Sequence, residues 1–187
     1  MRKTGPDLFD VTSVVTEALA GLKMMLYFSY GSNMSTPRLV ERVPSARAVA
    51  VARLQNHRLK FHKKSKDSSG KGDIECTADE KDVVYGVVFE IATSEKTQLD
   101  KHEGLHNGYE DKSVSVFSQD GKELIAVTYY ATNIDPDLKP YEWYKEHVIR
   151  GAREHGLPAD YINIILDIEA MPDPDRARHE RELSIYS

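Results

Sequence analysis

Two short segments of this chain carry residues that could do acid–base chemistry together. The first is Tyr30-Gly31-Ser32-Asn33, which closely follows the apolar run Met24–Phe28. Glycine tolerates a positive φ, and serine and asparagine hydrogen-bond their own backbone, so the segment predicts a turn with convergent N–H groups. Such a nest of donors binds a carboxylate or a developing oxyanion. An ordinary strand-to-helix turn has the same composition, so the segment alone does not decide between the two.

The second segment is a predicted helix that ends near Glu103. The negative end of a helix dipole disfavours a carboxylate, and partial desolvation raises its pKa further. A carboxyl group with a raised pKa is suited to general acid–base catalysis. The alternative is a solvated glutamate at a helix end. Asp100, three residues earlier, makes a poor glycosidase pair with Glu103, because glycosidase carboxylates flank the sugar from opposite sides.

The same segment also matches a zinc motif. His102-Glu103-x-x-His106 has the H-E-x-x-H spacing, in which two histidines on one helix face bind the metal and glutamate acts as the base. Gly104 lowers the helix propensity inside the motif, and Asn107-Gly108 indicates that the helix has ended before His106. We therefore expect no metal site here, and a zinc-dependent hydrolase stays an alternative function.

The composition excludes several classes of protein. The chain has 187 residues, 40% of them hydrophobic and 29% charged, which is typical of a globular domain. Its net charge of −5 argues against a nucleic-acid partner, which needs a basic surface. The single cysteine, Cys76, rules out an internal disulfide and fits a reducing, cytoplasmic location. No apolar run is long enough to span a bilayer, so we expect no membrane partner. The oligomeric state is open, and a homodimer is one of the states allowed.

The pattern of elements predicts an α+β fold. Strands cluster in the middle of the chain and helices follow, and several strands are joined by connections too short for βαβ units. We therefore expect a small antiparallel or mixed β-barrel with flanking helices. The polar run Lys63–Asp73 is predicted to be a mobile surface loop. The predicted organisation is an N-terminal extension over 1–23, one domain over 24–170 and a charged surface tail over 171–187.

Several motifs, in order, resemble the γ-glutamylcyclotransferase family. The resemblance runs from about Leu26 to Ile168. Tyr30-Gly31-Ser32-Asn33 matches the YGSN loop of that family, and Glu103-Gly104, with Tyr109 following, matches its catalytic E-G. The remaining matching segments are Val51-Ala52-Arg53-Leu54, Tyr85-Gly86-Val87-Val88 and Gly151-Ala152-x-x-x-Gly156-Leu157-Pro158-x-x-Tyr161.

The resemblance implies a compact barrel with flanking helices, no metal and no cofactor. It implies that a γ-glutamyl substrate cyclises on itself, releasing 5-oxoproline and an amine or amino acid. Glu103 would be the catalytic acid–base, and Tyr30, Gly31, Ser32 and Asn33 would bind the substrate. Tyr109 and Tyr129 match family positions near the site. Tyr130 adjoins Tyr129, and a shift of one residue in a strand would exchange their faces.

Two questions stay open at this point. A barrel with a pocket could bind γ-glutamyl metabolites without turnover, although a pure binding module has no need of Glu103. The leaving group could be a free amino acid, an alkylamine such as a lysine side chain, or the Cys-Gly of glutathione. Contacts to the leaving group are expected from variable loops such as Lys63–Asp73.

Overall fold

Five strands close into a barrel in the computed structural model, which describes residues 23–187. Their order around the barrel is β1-β5-β2-β6-β7, and all pairs are antiparallel except β1 with β7. This arrangement confirms the predicted α+β fold with a small mixed barrel. The five strands are β1 Met24–Ser29, β2 Arg47–Gln55, β5 Val83–Ala92, β6 Tyr109–Ser118 and β7 Glu123–Ala131. Except for residue 23, the predicted extension lies outside the described residues.

Side chains from alternate strand positions fill the barrel. Phe28, Val87 and Val116 are fully buried. Gly86 lies where β5 crosses closest to β1, and a Cβ there would sit 2.3 Å from the backbone oxygen of Ser29. Gly86 therefore marks a close approach of two backbones, and its missing side chain lets the C-terminal end of β1 lie against β5.

A separate hairpin replaces the surface loop expected over Lys63–Asp73, so that prediction is wrong. Strand β3, His57–Lys64, pairs with β4, Gly70–Cys76, and only a short connection between them is irregular. Asp73 can be buried because its carboxylate has two partners. Its Oδ2 lies 2.8 Å from His62 Nε2, and its Oδ1 accepts from the Ala131 N–H at 2.6 Å. The first contact joins the two strands of the hairpin, and the second ties the hairpin to β7.

Glycines explain why the polar hairpin packs so closely. A Cβ at Gly70 would lie 2.0 Å from the carbonyl oxygen of Phe61, and one at Gly72 would lie 3.2 Å from the Tyr144 hydroxyl. The segment thus forms a strand through backbone proximity and a buried, hydrogen-bonded aspartate. Hydropathy patterns detect neither feature.

Five α-helices flank the barrel in the described part of the chain. None of them is long and apolar enough to cross a bilayer. They are α1 Thr36–Arg42, α2 Lys96–Glu103, α3 Glu142–Glu154, α4 Ala159–Asp167 and α5 Arg176–Leu183.

The C-terminal stretch differs from the surface tail predicted over 171–187. Helix α5 forms there, and Glu182 accepts a hydrogen bond from Arg38 at 2.7 Å. The Tyr186 hydroxyl lies 2.8 Å from the Ser35 hydroxyl and 2.6 Å from His147 Nδ1. These contacts place the C-terminal residues against α1 and α3, behind the turn that follows β1.

That turn, a 3-10 helix over Ser32–Met34, packs directly on α3 through Gly151. A Cβ at Gly151 would lie 2.4 Å from the backbone nitrogen of Ser35 and 2.5 Å from the carbonyl carbon of Met34. Backbone atoms cannot give way as a flexible side chain can. The absence of a side chain at Gly151 therefore sets the position of the turn.

We expect Gly151→Ala to destabilise the protein by about 1–3 kcal/mol, because the added methyl overpacks against backbone. Glycine to alanine in a helix otherwise stabilises by about 1 kcal/mol, so the sign of the change is diagnostic. Urea denaturation measures it. Arg153→Ala, an exposed change on the same helix, is the control and should stay within about 0.5 kcal/mol of wild type. A stabilised Gly151→Ala variant would show that the turn does not depend on this contact.

Candidate active site

The two segments singled out in the sequence meet at one end of the barrel. The turn after β1 carries Asn33, and Glu103 is the last residue of α2. Gly104 ends this helix in the left-handed conformation, with φ of 76°, and its N–H donates to the carbonyl of Asp100. Glycine takes this conformation without strain, so the helix stops immediately after Glu103.

Glu103 is held through one carboxylate oxygen. Its Oε1 accepts from Asn33 Nδ2 at 2.5 Å and from the Tyr27 hydroxyl at 3.2 Å. Asn33 is oriented in turn by Arg42, which donates to its Oδ1 at 3.0 Å. No donor among residues 23–187 reaches Oε2 within hydrogen-bond distance. The carboxylate is therefore fixed in position with one oxygen left for a ligand.

Burial raises the pKa of Glu103 above its ordinary value, because a carboxylate loses hydration at this position. The cations Arg42, Arg38 and Lys63 and the hydrogen bond from Tyr27 act in the opposite direction and favour the charged form. Burial is the larger effect. The group is therefore a better proton acceptor than a solvated glutamate, as the position at a helix end predicted.

The turn after β1 offers backbone donors to the same space. The N–H groups of Gly31, Ser32 and Asn33 donate to no acceptor within the described part of the chain. The buried Ser29 hydroxyl also lacks a partner there. Unpaired buried donors are costly, and a bound anion or carbonyl oxygen would satisfy them.

These groups line one cavity. It brings together all of the predicted site residues. The lining consists of Tyr27, Ser29, Tyr30, Gly31, Ser32, Asn33, Gly72, Glu103, Tyr109, Tyr129 and Tyr144.

The tyrosines of this cavity are held by hydrogen bonds through their hydroxyls. Tyr109 donates to the carbonyl of Gly72 at 2.5 Å, Tyr129 to Asp100 Oδ1 at 2.5 Å, and Tyr30 to the carbonyl of Tyr129 at 2.7 Å. Burial raises the pKa of each phenol, so all three remain neutral. The rings therefore form rigid, uncharged walls.

The choice between the adjacent tyrosines of β7 is resolved by their environments. Tyr129 is buried and lines the cavity. Tyr130 is only half-buried and has the Lys112 ammonium over its ring, 5.2 Å from the centroid. Tyr129 thus faces the cavity, and Tyr130 faces away from it.

Sequence reasoning missed five residues of the site, which are Tyr27, Ser29, Arg42, Gly72 and Tyr144. Tyr27 and Arg42 act on Glu103 directly or through Asn33, and Tyr144 accepts the Gly72 N–H at 3.0 Å. Tyr27 and Ser29 had a usable signal, because they lie two residues apart on one face of β1, directly before the predicted turn. Gly72 had no signal, since its strand was predicted to be a loop.

The histidines of the H-E-x-x-H pattern do not share a helix face. Helix α2 ends at Glu103, and His106 lies beyond it with φ of 63° and its Nδ1 3.0 Å from the Glu110 carboxylate. Within residues 23–187, no group of three or more His, Cys, Asp or Glu side chains could hold a metal ion. The geometry that this zinc motif requires is therefore not formed.

Comparison with known proteins relates the chain to one group of enzymes. Residues 83–165 match the model of the AIG2-like family. The γ-glutamylcyclotransferase of Bos taurus is 38% identical over 148 residues, and that of Homo sapiens is 38% identical over 152 residues. Each alignment covers 77% of this chain and 78% of the relative. A solved γ-glutamyl cyclotransferase superposes with a TM-score of 0.75 at 35% identity, covering 80% of this chain and 90% of its own.

We expect Arg42→Met to raise the pKa of Glu103 further, because the guanidinium stabilises the carboxylate and orients Asn33. The titration of ¹³C-labelled glutamate carboxyls by NMR measures this change, with the Glu103 signal assigned by its loss in Glu103→Gln. The control is Arg47→Met, which removes an exposed arginine paired with Glu90 on the strands. An unchanged Glu103 titration in Arg42→Met would contradict the electrostatic link.

Proposed function

Because the chain belongs to the γ-glutamylcyclotransferase family and is an enzyme, we propose that it cyclises a small γ-glutamyl substrate, releasing 5-oxoproline and an amino acid or amine. The observation that carries this proposal is the placement of Glu103 Oε2. It has no donor from the described residues, and Glu103 lines the same cavity as the residues after β1 whose N–H groups are unpaired. A proton acceptor and an oxyanion-binding turn in one small cavity are what such a cyclisation needs.

The reaction consists of one attack and one departure. The α-amine of the substrate attacks its own γ-carbonyl carbon, a new C–N bond closes the five-membered ring, and the amide C–N bond to the leaving group breaks. Glu103 takes a proton from the substrate ammonium and returns one to the leaving nitrogen. The attack is intramolecular, so no enzyme nucleophile is required, and the protein contributes by folding the substrate into the reactive geometry.

The turn after β1 would hold the polar end of the substrate. Gly31, Ser32 and Asn33 line the cavity, and their N–H groups can donate to the α-carboxylate, the γ-carbonyl oxygen or both. Tyr30 supports the turn through its bond to β7, whereas Tyr109 and Tyr129 wall the cavity as neutral rings. These walls bound the space beside Glu103 in which the γ-glutamyl group would fold.

The cellular setting is part of the same proposal. The single cysteine, Cys76, is exposed and unpaired among the described residues, which supports a reducing compartment such as the cytoplasm. The proposed substrate is a small γ-glutamyl metabolite. Its cyclisation needs no redox cofactor, because ring closure involves no change of oxidation state.

Glu103→Gln tests the proton transfer. We expect kcat for 5-oxoproline release to fall at least about 100-fold, because an amide cannot carry the proton. The melting temperature should not fall, because burial disfavours the charged carboxylate that this variant removes. Glu80→Gln, an exposed change in the turn between β4 and β5, is the matched control and should keep full activity. More than a tenth of wild-type activity in Glu103→Gln would refute the assignment.

Ser32→Pro tests the donors of the turn. Proline removes the Ser32 N–H, and this position begins a short helix, where proline fits the backbone. We expect kcat/KM to fall about 10- to 100-fold through loss of one hydrogen bond to a charged or developing oxygen. Ser32→Ala keeps the N–H and is the control, with a smaller effect. Equal kinetics for the two variants would mean that this N–H does not bind the substrate.

A further inference from the structure

A cluster of cations lines two clefts beside the cavity. Two clefts adjoin the cavity and share Glu103 with it. The inner cleft has Arg42 and Lys63 in its lining, and the outer cleft again has Lys63, together with three further lysines. We define the cation rim as Arg42, Lys63, Lys64, Lys66 and Lys101.

Two other cations of the inner cleft are paired with carboxylates, whereas the rim cations have no carboxylate partner among the described residues. Arg38 and Lys71, which also line the inner cleft, are paired with Glu182 at 2.7 Å and with Asp67 at 2.8 Å. By contrast, no carboxylate of residues 23–187 lies within 4.0 Å of any rim cation.

The rim is positively charged, whereas the chain as a whole has a net charge of −5. Glu103 is the only carboxylate in the lining of the cavity and both clefts, as far as the described residues extend. A local excess of positive charge on an acidic protein raises the local concentration of anions and steers them inward. The clefts are therefore suited to an anionic part of a ligand.

Lys63 is the rim cation whose position is most restricted. It is only 9% exposed, and its ammonium lies over the Tyr109 ring, 4.7 Å from the centroid. Burial lowers the pKa of Lys63. Gly108 makes room for the side chain, since a Cβ there would lie 3.1 Å from Lys63 Cε. A partly desolvated ammonium without a carboxylate partner, beside the catalytic cavity, is a ready site for a ligand carboxylate.

We propose that the cation rim binds the leaving group of the substrate and selects one with a carboxylate side chain, as in γ-glutamyl-glutamate or γ-glutamyl-aspartate. This inference rests on the proposed function. Arg42, next to Glu103, receives the α-carboxylate of the leaving residue, and Lys63, which lines both clefts, receives its side-chain carboxylate together with the outer lysines. A leaving amine without a carboxylate, or one with a cationic side chain, is disfavoured by the same charges.

The test compares kcat/KM for 5-oxoproline release from γ-glutamyl-glutamate and γ-glutamyl-alanine, which differ by one carboxylate. We expect a ratio of at least about five in favour of the acidic peptide, the size of one partly solvated ion pair. The ratio should shrink when salt is raised to about 0.5 M, because surface charges are then screened. A ratio of one or less overturns the proposal, whereas release from both peptides leaves the proposed function standing.

Lys63→Met assigns the effect to the rim, since methionine keeps the apolar stem and removes the charge. We expect the ratio to fall by at least about twofold. Lys81→Met, which removes an exposed lysine outside the cavity and both clefts, should keep the wild-type ratio. The ratio is used because any effect of the lost charge on the pKa of Glu103 acts on both peptides. An unchanged ratio in Lys63→Met overturns the proposal.

Two further measurements distinguish a failure of the rim proposal from a failure of the proposed function. If Lys63→Met does not fold, the double variant Lys66→Met/Lys101→Met replaces it, since both lysines are exposed, and the same fall in ratio is expected. If neither peptide releases 5-oxoproline, the proposed function fails. Calorimetric titration of both peptides into Glu103→Gln then tests the rim alone: tighter binding of γ-glutamyl-glutamate supports anion selection, and equal binding overturns it.

Discussion

The hydrogen bond from Asn33 to Glu103 is the interaction on which the site depends. It joins two segments separated by 70 positions in the sequence, the turn after β1 and the end of α2. A glycine determines the position of each segment. Gly151 lets α3 pack against the turn, and Gly104 ends α2 directly after Glu103. Because one carboxylate oxygen is occupied by Asn33 and Tyr27, the other is oriented without further contacts.

Placing Glu103 in this environment costs stability, and the surrounding residues limit that cost. Burial disfavours the carboxylate, while Arg42, Arg38 and Lys63 favour it. The balance leaves a raised pKa, which suits proton transfer; a fully apolar pocket would raise the pKa further, and a pocket lined by cations alone would lower it. The positioning of Arg42 has a second use, since the same guanidinium holds the Asn33 amide in the orientation that donates to Glu103.

The sequence predicted the parts of the structure whose signals are local. The apolar run of β1 and the helix that ends at Glu103 were both found, and the barrel architecture followed. The β3–β4 hairpin was not, because Gly70, Gly72 and Asp73 look like loop residues until tertiary contacts satisfy them. Helix α5 was missed for a related reason: it is charged throughout, and a few contacts to other helices hold it.

The same distinction applies to the site. Glu103 and the turn after β1 carry recognisable chemistry in their residue types, whereas Arg42 depends on a helix placing a cation beside Asn33. This cation links the two proposals. Leaving-group carboxylates bound by Arg42 and Lys63 would neutralise the charges that lower the pKa of Glu103. Binding of the substrate would then make Glu103 more basic at the moment when it must accept the ammonium proton, so selection of the substrate and activation of the base would have one electrostatic cause.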